Sequence, residues 1–355
     1  MLQSEDLFFL LGAEWAAGGT KPMAGLYEDT FVEQLRQGLS SLAEGWGLPP
    51  DSTIATLNIS ENATFKATDP GTGQAIILRV HRPGYHERDE IQSELDWIHD
   101  LRRHAVVATP KPLPRRDGSY IGDMHAAGDV RHVVAFEFMS GSEPAQGSDG
   151  IVAGFRELGA ISARLHQHVR TWQRPATFRR KTWNYETMLG RAPLWGDWRE
   201  GIGLDASGRA VLERASSALK TFLSAYGEGP ERFGLVHADL RLANLLVDNG
   251  RLGVIDFDDC GFSWFVYDFA AAVSFFEHDP IVAELQDAWV EGYRSVASLP
   301  DADVAAIPVF VFLRRFLLTA WVASHAETPT AQALGAPFTH GTVALADAFL
   351  SKIER

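Results

Sequence analysis

Residues 237–244 read HADLRLAN, a histidine, an aspartate and an asparagine spaced as H-x-D-x-x-x-x-N. Asp256 follows 17 positions after Asp239, in the apolar run GVIDFDD of residues 253–259. Phosphoryl transfer from a nucleotide needs a carboxylate beside the attacking hydroxyl and separate oxygen ligands for the metal ions that neutralise the phosphates. Residues of these types match that need: Asp239 would accept the hydroxyl proton, while Asn244 and Asp256 would hold magnesium. A short loop match arises by chance, and paired aspartates such as Asp258 and Asp259 usually cap a turn or face water. The weight lies in the combination of the loop, a carboxylate at the right distance, and strand-like runs on either side.

HADLRLANLL resembles the H-G-D-x-x-x-x-N catalytic loop of the aminoglycoside phosphotransferase and choline kinase superfamily, relatives of eukaryotic protein kinases, and VIDFDD resembles their I-D-F/W metal strand. Tyr267-Asp268-Phe269-Ala270 resembles their Y-D-L-A element, which implies that Asp268 supports the loop structurally; His237 is read as a histidine that orients the loop and carries no proton. The resemblance spans about residues 55–325. Ala238 stands where the family usually has glycine, which reads as a mild change of one methyl group.

What the resemblance implies for the upstream residues is specific. A kinase-like N-lobe needs a cation on its third strand for the α- and β-phosphates and a helix glutamate to fix that cation. Arg79 in AIILRV and Glu94 in QSELDWI fit these positions; arginine in place of the usual lysine keeps the charge but forks and reaches differently. Lys66, on the neighbouring strand, reads as a solvated lysine. The segment SENATF of residues 60–65 resembles the family's S/N-E-N-x-T-Y/F turn, through which Ser60, Asn62 and Thr64 would reach the nucleotide. Glu137, Phe138 and Met139 occupy the hinge position, where backbone would pair with the adenine edge.

The elements that must position these residues show as changes of texture. Phe31, Leu35, Leu39 and Leu42 recur at helical spacing until the Leu-Pro-Pro of residues 48–50, a helical preface over 1–50. The first residues, MLQSEDLFFLLGAEWAAGG, read as a helix and not as a secretory signal, because Glu5 and Asp6 stand where positive charge belongs. From Thr53 come short β-prone runs, TIATLNI, ATFKA and AIILRV, with the turn-rich DPGTGQ among them. Residues 87–103 set Ile91, Leu95, Ile98 and Leu101 on one helical face, and strands follow near Tyr120 and over 132–139. Gly141–Gly150 concentrates turn residues and marks a linker. Beyond it, 151–170, 206–226, 281–297 and 302–325 are helical in period, interrupted by a strand, loop, hairpin and strand around the HADLRLAN loop. The expected fold is therefore α+β and bilobal, and the resemblance implies that it is protein-kinase-like: a nucleotide-binding N-lobe over 51–140 with an antiparallel sheet plus helix, and a larger, mainly helical C-lobe over 141–355 for catalysis and acceptor.

Composition narrows the partners. A chain of 355 residues exceeds the size at which one core keeps growing, and 46% apolar with 22% charged residues is ordinary for a folded soluble protein. The net charge of −14 argues against nucleic acid or an anionic membrane as partner. The single cysteine, Cys260, excludes a disulfide framework and a cysteine zinc cluster, which suits a reducing cytoplasm, and its acidic flank should raise the thiol pKa. The apolar stretch from Ala305 to Val322 is interrupted by Pro308, Arg314 and Arg315, so no membrane span is expected. His166 and His168 read as a solvated pair. The tryptophans, among them Trp172, Trp183, Trp195, Trp198, Trp264 and Trp321, read as core more readily than as a cage for a quaternary ammonium group.

The expected activity is ATP- and Mg2+-dependent transfer of the γ-phosphoryl group to a hydroxyl of a small molecule, an amino alcohol of the homoserine, choline or aminoglycoside kind. Two alternatives stand beside it. One is a protein serine/threonine kinase of the bacterial stress-response type, although no activation segment ending in A-P-E is found; the other is a nucleotide-binding pseudokinase without turnover. Oligomeric state is not legible.

Overall fold

Strands β1 (Thr53–Ile59), β2 (Ala63–Thr68), β3 (Ala75–Val80), β4 (Ile121–Ala126) and β5 (Asp129–Glu137) form one antiparallel sheet, ordered β1-β2-β3-β5-β4, in the computed structural model, which describes residues 29–59, 62–126 and 128–353. The period-2 alternation of strands sorts its side chains onto two faces. Phe65 opposite Leu78 and Ala67 opposite Ile76 point to one face, while Thr64 opposite Arg79 and Lys66 opposite Ile77 point to the other. The first face is covered by α1 (Asp29–Leu42), whose Leu35 and Leu39 are buried with Phe65, Leu78, Val80, Val133 and Ala135. The helical reading of residues 1–19 lies outside the described residues. Towards the second face lies α2 (Arg88–Arg103), whose Ile91, Leu95 and Ile98 share a core with Val134 and Phe136. A capping box starts α2: Glu87 accepts from the backbone N–H of Glu90, whose carboxylate accepts from the N–H of Glu87. This fixes the helix start and so places Glu94 beneath the sheet.

The C-lobe holds α3 (Ile151–Thr171), the short α4 (Tyr185–Met188), α5 (Ala206–Tyr226), α6 (Tyr267–Ala272), α7 (Val282–Arg294), α8 (Asp301–Ser324) and α9 (Pro329–Ile353). Two glycines let α3 and α7 touch through their backbones: a Cβ on Gly159 would lie 2.0 Å from the Trp289 carbonyl oxygen, and one on Gly292 would lie 1.8 Å from that of Arg156. Two small antiparallel sheets carry the chemistry-bearing segment. They pair β6 (Phe233–Val236) with β9 (Gly261–Trp264), and β7 (Leu245–Asp248) with β8 (Arg251–Val254). Asn249 and Gly250, both at positive φ, turn β7 into β8 as a type I′ hairpin requires.

The architecture is the expected one, a sheet-plus-helix N-lobe above a helical C-lobe. One local expectation changes, at the C-terminal end. Helix α8 runs through Pro308, as the helical period over 302–325 implied, because Pro308 sits on the solvent side, where water can satisfy the carbonyl it leaves unpaired. By length and composition α8 could cross a membrane, but 78% of its apolar window is buried inside the fold, as befits the core helix of this lobe. Helix α9 has no counterpart in the sequence reading; it bends at Gly335 (φ 47°) just before Pro337, which breaks the periodicity that would reveal it.

Candidate active site

The loop after β6 is built on buried hydrogen bonds. His237 has no exposed surface; its Nδ1 accepts from the Asp239 N–H (3.3 Å), so its Nε2–H donates to the Ile255 carbonyl (3.1 Å). Burial holds its pKa below the ordinary value, and one neutral tautomer satisfies both contacts. Asp268, at the start of α6 and fully buried, accepts from the Ala238 N–H (2.8 Å) and the His237 N–H (3.4 Å). Its Oδ2 also lies 2.9 Å from Nε2 of His166, whose Nδ1 meets the Tyr293 hydroxyl at 3.1 Å. His166 is thus a buried brace and not half of a solvated pair, while His168 reaches Asp100 at 2.7 Å. Helical neighbours two apart face different ways, which is why the two histidines part.

Ala238 has φ +66°, in the left-handed region that costs an L-residue about 1–2 kcal/mol. Replacing the usual glycine is therefore more than the mild methyl change expected from sequence: backbone conformation, not space alone, is what glycine supplies there.

Asp239 is gripped on both carboxylate oxygens. Asn244 Nδ2 donates to Oδ2 (2.7 Å) and to the Asp239 carbonyl (2.9 Å), Arg241 Nε donates to Oδ2 (3.1 Å), and Arg314 Nη2 donates to Oδ1 (2.7 Å). Burial pushes this carboxyl up, but Arg241, Arg314 and His237 outweigh it and hold it below the usual carboxylate range. Neither arginine was anticipated as a functional residue. Arg241 had a signal, being two residues after Asp239; Arg314 had none, since it arrives from α8.

Asp256 lies two residues beyond β8 and not within a strand, as the sequence suggested; the strand stops at Val254 and Asp256 turns at φ +60°. The Arg79 guanidinium joins the lobes: Nη1 is 3.2 Å from Asp256, and Nη2 is 2.5 Å from Glu94 and 3.7 Å from Asp258. Arg79 and Glu94 are both buried, so this is no surface ion pair. Enclosure between the lobes raises the Asp256 carboxyl to about 7, the like charges of Asp258, Glu94 and Asp239 add to the rise, and Arg79 opposes it. Its side chain is nonetheless 45% exposed, leaving an open side from which a cation can arrive. Asn244 uses its amide nitrogen on Asp239, which leaves its amide oxygen as a donor beside that crowded acidic set. Hard oxygen donors among mutually repelling carboxylates are what magnesium or calcium matches.

The other expected nucleotide contacts divide. Thr64 shares the cleft face with Arg79. Asn62 is engaged within the protein: its Nδ2 donates to Asp258 (2.7 Å) and its Oδ1 accepts from the Arg82 N–H (3.2 Å). Ser60, with Glu61, lies outside the described residues. At the hinge, Glu137 pairs with Lys111 (3.0 Å), Phe138 is 44% exposed, and Met139 packs where a Cβ on Gly253 would stand. Lys66 is not simply solvated, for its Nζ stands 4.0 Å from the Phe138 ring centre. Asp258 and Asp259 do not face water either. Asp258 is buried among Arg79, Asn62, His81 and His86, and Asp259 accepts from Tyr85 (2.6 Å), whose hydroxyl also accepts from Trp195 Nε1 (3.0 Å). Cys260 is fully buried; burial first, and then neighbouring carboxylates, push its thiol up to about 12 against Arg180.

With this loop, its braces and the lobe-spanning arginine in place, comparison with known proteins is decisive. Residues 55–303 match the phosphotransferase enzyme family. The chain belongs to that family. A solved microcompartment-associated aminopropanol kinase is 46% identical, with a TM-score of 0.82, over 88% of this chain and 97% of its own. An amicoumacin kinase solved with AMP-PNP, Ca2+ and Ami is 24% identical, with a TM-score of 0.71, over 92% of this chain and 94% of its own, and shares the fold. A homoserine kinase of Allorhizobium ampelinum is 27% identical over 261 residues, 70% of this chain and 74% of its own. This family member is an ATP-dependent kinase that transfers a phosphoryl group to the hydroxyl of a small molecule.

Proposed function

We propose that this kinase phosphorylates a short amino alcohol of the aminopropanol kind, using magnesium-bound ATP in a reducing cytoplasm. The observation that carries the acceptor class is the 46% identity to an aminopropanol kinase along nearly the whole of that chain. In this reading Asp239 orients the acceptor hydroxyl and takes its proton as the oxygen–phosphorus bond to the γ-phosphoryl group forms and the bond from that phosphorus to ADP breaks, ADP leaving. Asn244 and Asp256 hold the metal, which when bound neutralises charge on the phosphates. Arg79, fixed by Glu94, faces the α- and β-phosphates, and Thr64 lies beside it on the cleft face. The hinge at Glu137, Phe138 and Met139 receives the adenine edge. His237 and Asp268 hold the loop. An acidic chain of net charge −14 suits a cationic acceptor.

The test is magnesium–ATP consumption with 1-amino-2-propanol, ethanolamine, choline, homoserine, an aminoglycoside and a generic protein acceptor, with Asp239→Asn as control. Fastest turnover is expected with 1-amino-2-propanol, and Asp239→Asn should lose about a hundred- to ten-thousand-fold in kcat while still binding nucleotide. Preference for the protein acceptor, or ATP binding without turnover of any acceptor, would replace this reading with a protein kinase or a pseudokinase. Homoserine is the second small-molecule reading, because homoserine kinases are also relatives.

A further inference from the structure

We infer that Arg314 is the positioning residue that sets the Asp239 carboxylate in its working orientation, an inference that rests on the role given to Asp239 above. The terminal torsion of an aspartate is broad and soft, so a carboxylate held at one oxygen can still swing. Asn244 and Arg241 hold Oδ2 of Asp239, both from within the loop. Oδ1 is held from elsewhere in the fold, by Arg314 Nη2 at 2.7 Å.

The arginine is itself seated from several sides. Its Nη1 donates to the Tyr267 hydroxyl (3.1 Å) and faces the Ala238 carbonyl (3.4 Å), its Nε donates to Ser274 Oγ (3.0 Å), and its Cζ lies 5.0 Å from the centre of the Trp195 ring. These partners come from the loop, from α6 and the residues just after it, and from the segment ahead of α5. Only 3% of Arg314 is exposed. Burying a guanidinium in an apolar helix carries a desolvation cost that only full pairing offsets. The carboxylate it pairs with is the one the chemistry uses.

The next residue of α8 shows the contrast. Arg315 is equally buried but turns away from the loop, to Glu277 (2.9 Å), Thr342 (2.9 Å) and the Phe338 carbonyl (2.9 Å), so it ties α8 to α9 and to the segment after α6. Consecutive helix positions point about 100° apart, and the pair thus divides into one arginine for the C-lobe core and one for the loop. Arg314 and Arg241 also place two positive charges around Asp239, which offset the repulsion between that carboxylate and an approaching polyphosphate.

The experiment is a double-mutant cycle of Arg314→Lys with Asp239→Asn, read as kcat and KM for magnesium–ATP consumption with 1-amino-2-propanol. Lysine keeps the charge but cannot span Asp239, Tyr267 and Ser274 together. A carboxylate displaced by about 1 Å costs roughly a hundredfold in rate. Arg314→Lys should therefore lower kcat by about 30- to 100-fold, with KM for ATP within about threefold of wild type. In the Asp239→Asn background the same change should alter kcat by no more than about twofold, since the group it positions is already gone. Arg315→Lys serves as control for loosening the lobe: it should lower the melting temperature without this loss of kcat.

Equal losses from Arg314→Lys in both backgrounds, or wild-type kcat in Arg314→Lys while Asp239→Asn is crippled, would overturn the inference. Should Arg314→Lys fail to fold, Tyr267→Phe removes one support of the guanidinium without touching Asp239. It should lower kcat in the wild-type background only, and equal losses in both backgrounds overturn the inference in the same way. An unimpaired Asp239→Asn removes the proposed role of Asp239 itself, and this inference falls with it.

Discussion

Replacing Glu94 by glutamine separates a structural ion pair at the heart of the cleft from an ornamental one. Glu94 has no exposed surface, and its Oε2 lies 2.5 Å from Arg79 Nη2. Two unit charges centred about 4 Å apart interact by about 4 kcal/mol at an effective dielectric constant near 20. Removing one member of a buried pair typically costs about 3–5 kcal/mol. Arg79 keeps Asp256 at 3.2 Å and Asp258 at 3.7 Å, which recover part of the loss and bring the expected cost to about 2–3 kcal/mol. At about 2 °C per kcal/mol for a large domain, the melting temperature of the Glu94→Gln variant should fall by roughly 4–6 °C. Released on one side, the guanidinium should move towards the two aspartates and away from the α- and β-phosphates it is proposed to face. The KM for ATP should rise roughly tenfold, equivalent to about 1.4 kcal/mol of lost binding, with a smaller change in KM for the acceptor. Thermal unfolding followed with and without magnesium–ATP, together with steady-state kinetics on both substrates, measures each part. A melting temperature within about 1 °C of wild type and an unchanged KM for ATP would show that the pair is worth no more than an exposed one.

Three further outcomes are expected. Asp256→Asn should weaken magnesium-dependent nucleotide binding, measured as the shift in KM for ATP across a magnesium titration; an unchanged titration would remove Asp256 from the metal set. Ala238→Gly trades relief of about 1–2 kcal/mol of left-handed strain against about 0.5–1 kcal/mol of added chain entropy and the loss of one buried methyl. It should therefore leave stability within about 1 kcal/mol of wild type in urea unfolding, and a loss above about 2 kcal/mol would show that the methyl, not the backbone angle, matters at this position. Cys260, buried and with its thiol pushed up to about 12, should resist iodoacetamide at pH 8 in the native protein and react once unfolded. Rapid alkylation of the native protein would refute that burial.

Much of this site was legible because it is local. The spacing of His237, Asp239 and Asn244 places them in one loop, and a hairpin with an Asn-Gly turn returns the chain to Asp256. The strand alternation that puts Thr64 and Arg79 on one face, and the helical period that carries Glu94, needed only periodicities of 2 and 3.6. The partner of Asn62 was not legible, since the folded chain brings Asp258, 196 residues away, to within 2.7 Å of its amide. His166 misled for the same reason: nothing beside it in sequence reveals Asp268 and Tyr293. Helix α9 was hidden by Gly335 and Pro337, whose bend interrupts the apolar stripe.

The amino-acid sequence by itself thus determined the two-lobe architecture and singled out the loop and carboxylates to which the chemistry is assigned in the proposed function, since each follows from local spacing and from apolar periodicity. Tertiary structure alone decided which charges meet. To the expected Arg79–Glu94 pair it added Asp256 and Asp258, and it carried Arg314 across 75 residues to Asp239. A charge buried in a fold must find its partner in space, and the distance along the chain says nothing of which partner that is.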